Sequence, residues 1–238
     1  MILSPRQSRA ARWLAAAALL STAGLAQAAL TVYTDATAFL SAVTQSGQDS
    51  FDDLPGGTLN GPLNRSAGSR GYSVEVLPDT SFIPAGGVVP PGLFYAAGSA
   101  PDLWLSTNSA TDTLRFFKLG GASAIGGSFF ASDVNGAALA GVSLTVLATD
   151  TQGAVSQLLG NPGPGNFLGF VSDHTLQSLT VSAVQPAFDS AWTSVNNLVL
   201  ASSVPEPQSL ALLLVGLAGL GATGLRARRL AAHTGSSA

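Results

Sequence analysis

Cysteine is absent from all 238 residues, which removes disulfides, cysteine-ligated metals and thiol nucleophiles together. Stability has to come from packing. The absence suits a reducing cytosol and equally an exported bacterial chain without bridges, so it selects no compartment. Positive charge is nearly as scarce in the middle of the chain. Between Leu30 and Ser203 stand four basic residues (Arg65, Arg70, Arg115, Lys118) against twelve acidic ones, a net charge of −8. Such a surface repels phosphate backbones, whose neutralisation by Lys and Arg supplies most non-specific nucleic-acid affinity. Nucleic acid is therefore not an expected partner. Histidine is limited to His174 and His233, which leaves little for acid–base chemistry.

The remaining arginines gather at the two ends, each cluster beside an apolar run. Arg6, Arg9 and Arg12 precede WLAAAALLSTAGL, and Ala26-Gln27-Ala28 follows as a small-residue cleavage site. This order reads as a signal peptide over residues 1–28, cut by signal peptidase after Ala28. A permanent anchor fits less well, because the apolar run falls short of the ~20 residues that span a bilayer and contains Ser21, Thr22 and Gly24.

At the other end, Ser209 to Leu225 gives 17 residues without a charge, the lower limit for a membrane-spanning helix. Gly216, Gly219, Gly221 and Gly224 weaken it in water. In lipid the backbone has no other hydrogen-bond partner, so a helix is still expected. Arg226, Arg228 and Arg229 would remain cytoplasmic by the positive-inside rule, leaving Pro205-Glu206-Pro207 and the globular part on the outer side.

Val204-Pro205-Glu206-Pro207, the weak apolar helix and the arginine-rich end resemble the PEP-CTERM sorting signal of exported bacterial proteins, over residues 202–230. The resemblance implies an exosortase, a membrane-embedded transpeptidase-like cysteine protease, as partner. It would cut near Pro205-Glu206-Pro207 and pass the protein to the cell surface or exopolysaccharide matrix. Ser209 to Leu225 would then be a transient inner-membrane anchor, Arg226, Arg228 and Arg229 the stop signal, and residues 231–238 a cytoplasmic tail. The physical sense is plain. Two prolines fix φ and bias their predecessors toward extended backbone, presenting the motif as a strand-like segment a cleft can grip.

Residues 29–201 remain for the domain. TDATAFLSAV predicts one short helix, with Thr34 or Asp35 as cap and Phe39, Leu40 and Val43 on one face. The rest reads as strands. AGVSLTVLATD alternates, with Val142, Leu144 and Val146 on one side and a turn at TQG. YSVEVL, LRFFKL, SAIGGSFFASD, NFLGFVSD, SLTVSAV and SVNNLVLA follow suit, separated by Gly, Pro, Asn and Asp. Short strands at roughly ten-residue spacing without a helical period predict an all-β, antiparallel β-sandwich, jelly-roll-like. NGPLNRSAGSRG and PAGGVVPPG read as long surface loops, NPGPGN as a tight connection.

FDDLP, GGSFFASD, NFLGFVSD and VNNLVLA also resemble, more loosely, the β-rich domains that precede this sorting signal. That likeness implies final core contacts from Val195, Leu198 and Leu200. Asn196-Asn197 stands where Asp-Asn is commoner, which removes a carboxylate from that point.

Catalytic machinery has little support. There is no G-x-S-x-G elbow, and SDHT reads as a solvated turn around His174. Asp52 and Asp53 are adjacent, so on a strand they face opposite ways and cannot act as a glycosidase pair with each other. A second acid from Asp102, Asp133 or Asp189 would have to be brought by the fold. Asp133, Asn135 and Gly136 begin a calcium-loop pattern without its closing Glu and read as an Asx turn. Asp52 or Asp53 beside Asn197 is a candidate structural calcium site, no other cofactor being implied.

Trp104, Trp192, Tyr72 and Tyr95 are the candidate sugar-stacking residues. In PDLWLST, inward leucines would turn the Trp104 ring to solvent, but the default for so large an aromatic is to plug the sandwich or its edge. Trp192 reads as core. The expectation is an exported binding or structural module with polysaccharide as the favoured ligand. A surface hydrolase and a ligand-free matrix component are the alternatives.

Overall fold

The computed structural model describes residues 30–81, 87–89, 91–187 and 189–204. Residues 1–29, which hold the expected signal peptide, and residues 205–238, which hold all but the first three residues of the expected sorting signal, lie outside the described residues. Among those that are described, no helix is long and apolar enough to cross a membrane.

Fourteen strands form two antiparallel sheets. The larger is ordered β1 (Thr31–Tyr33), β12 (Phe167–Val171), β9 (Ala124–Ser132), β14 (Trp192–Ser203), β7 (Asp102–Thr107), β6 (Leu93–Ser99), β3 (Gly57–Asn60), with β2 (Val43–Asp49) also on β14. The smaller is ordered β11 (Ala154–Leu159), β10 (Leu144–Asp150), β13 (Leu176–Ala183), β8 (Thr113–Phe117), β5 (Arg70–Leu77), β4 (Leu63–Ala67). From β7 onward the chain changes sheet at every connection except the β10–β11 hairpin. The antiparallel two-sheet arrangement expected from the strand spacing is present.

Between the sheets lies one core. Phe51, Phe94, Leu105, Phe129, Phe170 and Leu198 from the larger sheet and its loops meet Val74, Leu114, Phe116, Val146, Leu179 and Val181 from the smaller. Alternation produces the inward set in β10, where Leu144, Val146 and Ala148 are buried and Thr145, Leu147 and Thr149 are half-buried. Burying a side chain of this size stabilises by about 1.5–3 kcal/mol. Val195, Leu198 and Leu200 are fully buried in this core, as expected of the last strand.

A second, smaller cluster covers the outer face of the larger sheet. Helix α1 (Ala36–Ser41) is capped by Asp35, whose Oδ1 accepts the Ala38 N–H at 2.7 Å. It lays Phe39 against Phe167, ring centroids 5.2 Å apart, among Val43, Val171 and Val199. Two details differ from the expected helix face. Leu40 is 49% exposed, and Val43 belongs to β2, because the helix ends at Ser41 and the chain turns to pair with β14.

NGPLNRSAGSRG, expected as a loop, is instead largely the β4–β5 hairpin, with Leu63 opposite Val74 and Ala67 opposite Arg70. Asn64 and Ser66 face outward, whereas Arg65 shares the inner face with Leu63 and Ala67, so the sheet edge shows little apolar alternation. Beside it, Gly47 of β2 has no room for a side chain: a Cβ would stand 2.2 Å from the Ala67 carbonyl oxygen. This close approach joins the two sheets along one edge.

Candidate functional site

Strands β6 and β7 pair with Tyr95 opposite Ser106 and Ala97 opposite Trp104. Leu103 and Leu105 point inward and are buried, so Trp104 and Ser106 take the outer face. Tyr95 shares that face, diagonal to Trp104, at a spacing of ~7–8 Å that aromatic side chains bridge. Tyr95 is 36% exposed. Trp104 is half-buried, edge-on to Phe130 at 5.5 Å and 73°. Its ring also crosses Gly98, where a Cβ would meet Trp104 Cζ3 at 2.8 Å. Its indole Nε1 is buried without a hydrogen-bond partner. The alternation therefore predicted the face correctly, and contact with Phe130 and Gly98 accounts for the half-burial.

Next to Trp104 the last strand changes partner. Ser194 and Val195 of β14 pair with Ser106 and Leu105 of β7, whereas Leu198 to Ser203 pair with β2. One step beyond Val195–Leu105, Asn196 is level with Trp104. The switch is made by a bulge between Asn196 and Val199, with Asn197 at φ 52°. Asparagine tolerates this left-handed backbone better than most residues. Asn196 Oδ1 accepts the Asn197 N–H at 2.7 Å, and its Nδ2 donates to Asp102 Oδ1 at 3.0 Å. Gln48 Nε2 donates to Asn197 Oδ1 at 2.6 Å. Here a concavity of about 380 Å³ opens on the outer face, lined by Leu40, Gln48, Ser128, Phe167, Asn197 and Val199 among others. Phe167, Ser128, Asn196 with Asn197, Trp104 and Tyr95 thus succeed one another across five neighbouring strands.

The acidic candidates are used differently. Asp49, at the end of β2, is buried and receives Arg65 Nε and Nη2, both at 2.7 Å, the Tyr72 hydroxyl at 2.6 Å and the Phe51 N–H at 3.0 Å. Arg65 Nη2 also donates to Asp53, and its guanidinium stacks over Phe51 at 5.2 Å. β2 belongs to one sheet and β4 and β5 to the other, so this network ties the two together. Burial opposes the Arg65 charge, but the Asp49 and Asp53 carboxylates outweigh it and hold the guanidinium above its ordinary range. Burial and then the Asp49 charge push the Tyr72 phenol up. The Arg65 hydrogen bond holds Asp53 below the usual carboxylate value.

Asp52 Oδ1 instead accepts the Leu103 N–H at 3.0 Å. Asp52, Asp53 and Asn197 therefore bond to three separate partners. Among the described residues no three His, Cys, Asp or Glu side chains are grouped to hold a metal ion. A polar concavity of about 450 Å³ beside Asp49, Asp52, Asp53, Asn64, Arg65 and Ser66 has the Arg65 guanidinium on its wall. Tyr72, proposed above for stacking, is 3% exposed and spent on Asp49. Trp192, expected in the core, is half-exposed at the start of β14 and donates from Nε1 to the Asn108 carbonyl at 3.2 Å.

Asp133 forms the expected Asx turn, its Oδ1 accepting the N–H groups of Asn135 and Ala137, both at 2.8 Å. His174 lies in the β12–β13 turn, its N–H donating to Ser172 Oγ at 3.0 Å. Sequence reasoning missed the buried hydroxyl cluster of Ser106, Ser132 and Ser194 on the outer face. Three serines spaced along separate strands carry no local signal. The cluster holds no base, so it satisfies itself and supplies no activated nucleophile.

An antiparallel, two-sheet all-β domain with an aromatic-lined outer face is the class these observations define. No family model matches the chain, and no curated protein matches it. Among solved structures it is similar to the CBM22-1 xylan-binding domain from Paenibacillus barcinonensis Xyn10C, at 17% identity and TM-score 0.29, covering 68% of this chain and 98% of that one. A family 11 carbohydrate-binding module from Clostridium thermocellum, solved with a β-1,3-1,4-mixed-linked tetrasaccharide, matches at 10% identity and TM-score 0.26 over 68% of this chain and 98% of that one. The Agl-KA catalytic domain matches at 12% identity and TM-score 0.25, over 69% of this chain and 30% of that one. No ligand or activity follows for this chain from likeness at these scores.

Proposed function

We propose that this chain is an exported protein of the bacterial surface or extracellular matrix whose β-sandwich binds polysaccharide. The reading has the chain enter the export route through a signal peptide cut after Ala28. It is then held in the inner membrane by Ser209 to Leu225 and cut by an exosortase near Pro205-Glu206-Pro207. The observation that carries the binding function is the diagonal placement of Tyr95 and Trp104 on one outer face, with the exposed amides of Asn197 and Gln48 on neighbouring strands. Flat rings pack on the apolar faces of sugars, and amides supply directional hydrogen bonds to hydroxyls. Asp53 pairs with Arg65, which holds it below the usual carboxylate value and suits it poorly to the general-acid role of a hydrolase.

Affinity electrophoresis in gels containing exopolysaccharide from the producing cells, or soluble neutral polysaccharides, tests the reading. Retardation is expected, weakened by about threefold to tenfold in Tyr95→Ala, the worth of one aromatic contact. Mobility equal to that of a non-binding reference protein in every gel would leave the matrix-component alternative standing. Release of the chain from cells carrying Pro205-Glu206-Pro207 replaced by alanines, in normal amount and length, would remove the sorting half of the proposal.

A further inference from the structure

Strand β14 is paired on both sides almost to its end. On one side Leu200 faces Ile125 and Ala201 faces Ala124 of β9. On the other, Ser202 faces Thr44 and Ser203 faces Val43 of β2. The contacts continue past the strand. Ser123 N–H donates to the Ala201 carbonyl at 3.1 Å, the Ser203 N–H donates to Ser123 Oγ at 2.7 Å, and the Val204 N–H donates to the Ala42 carbonyl at 3.1 Å. Arg70 Nη2 adds a bond to Ser202 Oγ at 2.6 Å. The residue after Val204 is Pro205, which has no N–H and cannot extend a ladder. Among the described residues the last backbone hydrogen bond therefore falls next in the chain to the first residue of the expected sorting motif.

A protease cleft holds its substrate as an extended segment through main-chain hydrogen bonds, in the manner of an added strand. A segment whose N–H and C=O groups are already taken on both edges offers a cleft nothing to bind. Leu198, Leu200 and Ala201 are also fully buried, so drawing β14 into a cleft would expose the core.

Resting on the sorting function proposed above, we propose that the folded sandwich sets the upstream limit of processing: the cut falls after Val204, and the released product keeps all of β14. In the cut one peptide C–N bond is broken. The acyl carbon passes to water or to an acceptor amine, and the departing amine takes up a proton.

Two measurements test this. Mass spectrometry of the carboxy-terminal peptide of protein released from cells should give a terminus at Val204 or beyond it. A terminus between Trp192 and Ser203 would overturn this limit while leaving the sorting account intact, and an intact end at Ala238 would overturn both. Independently, the purified full chain in detergent micelles, treated with sparing proteinase K, should be cut first beyond Val204. First cuts inside β14 would refute the limit whatever the cell does.

Discussion

The two outer faces of the sandwich are built on different rules. On the smaller sheet the face opposite the core is half-buried and mixed, with Thr145, Thr149, Arg115 and Glu75 beside Leu147 and Phe117. β8 and β10 alternate strictly between buried and half-buried positions, and Arg115 and Glu75 pair there at 3.0 Å with both side chains partly in water. On the larger sheet β9 and β14 are buried on both sides over most of their length. Helix α1 covers part of that outer face, and Phe130, Trp104 and the serine cluster fill more of it. A sheet covered twice can hold a shaped, partly dry surface; one covered once presents charged and hydroxylated side chains to solvent. The larger sheet sets Tyr95 and Trp104 beside exposed amides, whereas Phe117 on the smaller sheet is flanked by the cations of Arg115 and Lys118.

Substitutions can break that contrast in order of size. Phe129→Ala, on the core side of β9, should cost about 3–5 kcal/mol in chemical denaturation, the largest loss here and enough to threaten folding. Removing one partner of the buried ion pair comes next. Asp49→Asn should cost about 3 kcal/mol, because it removes the buried charge opposite Arg65 and puts an N–H donor where one of two acceptor oxygens stood. A cost as small as that of a surface pair would contradict the bridging role. Third is the alkaline limb. Tyr72 is held neutral by burial and by Asp49, so its contribution is complete below the unfolded phenol pKa near 10 and is lost as pH rises above it. Denaturation midpoints measured between about pH 8 and 11 should fall, and Tyr72→Phe should flatten that fall.

The acid limb should be smaller. Asp53 is held below its usual value by Arg65, and Asp150 by the Ser172 hydroxyl and the Gln152 and Gly153 N–H groups against the opposing effect of burial. Both add stability above the ordinary carboxylate pKa near 4 and lose it as pH falls through their folded values. Asp112, raised by burial, works the other way and blunts the loss. Asp53→Asn should shift the acid midpoint only slightly, since that side chain is 75% exposed. Least of all, Arg115→Ala on the smaller sheet should change stability by under about 1 kcal/mol and leave polysaccharide retention untouched. Loss of retention there would place binding on the wrong sheet.

Strands whose inward residues alternate in sequence were legible: β5, β8, β10, β12 and β13 fall where the pattern puts them, and β14 falls where its apolar run does although a bulge sets Val195 and Leu198 three positions apart. β2 and β4 were not. VTQSGQD and LNRSA carry little apolar signal, because one shares the outer face with the helix and the other forms a sheet edge. The face of Trp104 followed from Leu103 and Leu105, but its half-burial depends on Phe130 of another strand and on Gly98. The Asp49, Arg65 and Tyr72 network joins residues 16 and 23 positions apart on different sheets, and no spacing rule predicts it. Tyr72 was read as a surface ring because a tyrosine sequence does not reveal where its hydroxyl finds an acceptor.

The partner switch at Asn196 and Asn197 also sets how this molecule breathes. β3, β6 and β7 form a three-strand flap whose backbone pairs with β14 are those of Ser194 and Val195 and whose Phe94, Leu103 and Leu105 are seated in the core, whereas β9 grips β14 along eight positions. Fraying should begin at the edge strand β3, seen as the earliest amide exchange of this sheet, with β6 and β7 held by the core. Tyr95 and Trp104 ride on that flap, so a polymer lying across both the flap and β14 would clip it shut and slow its exchange.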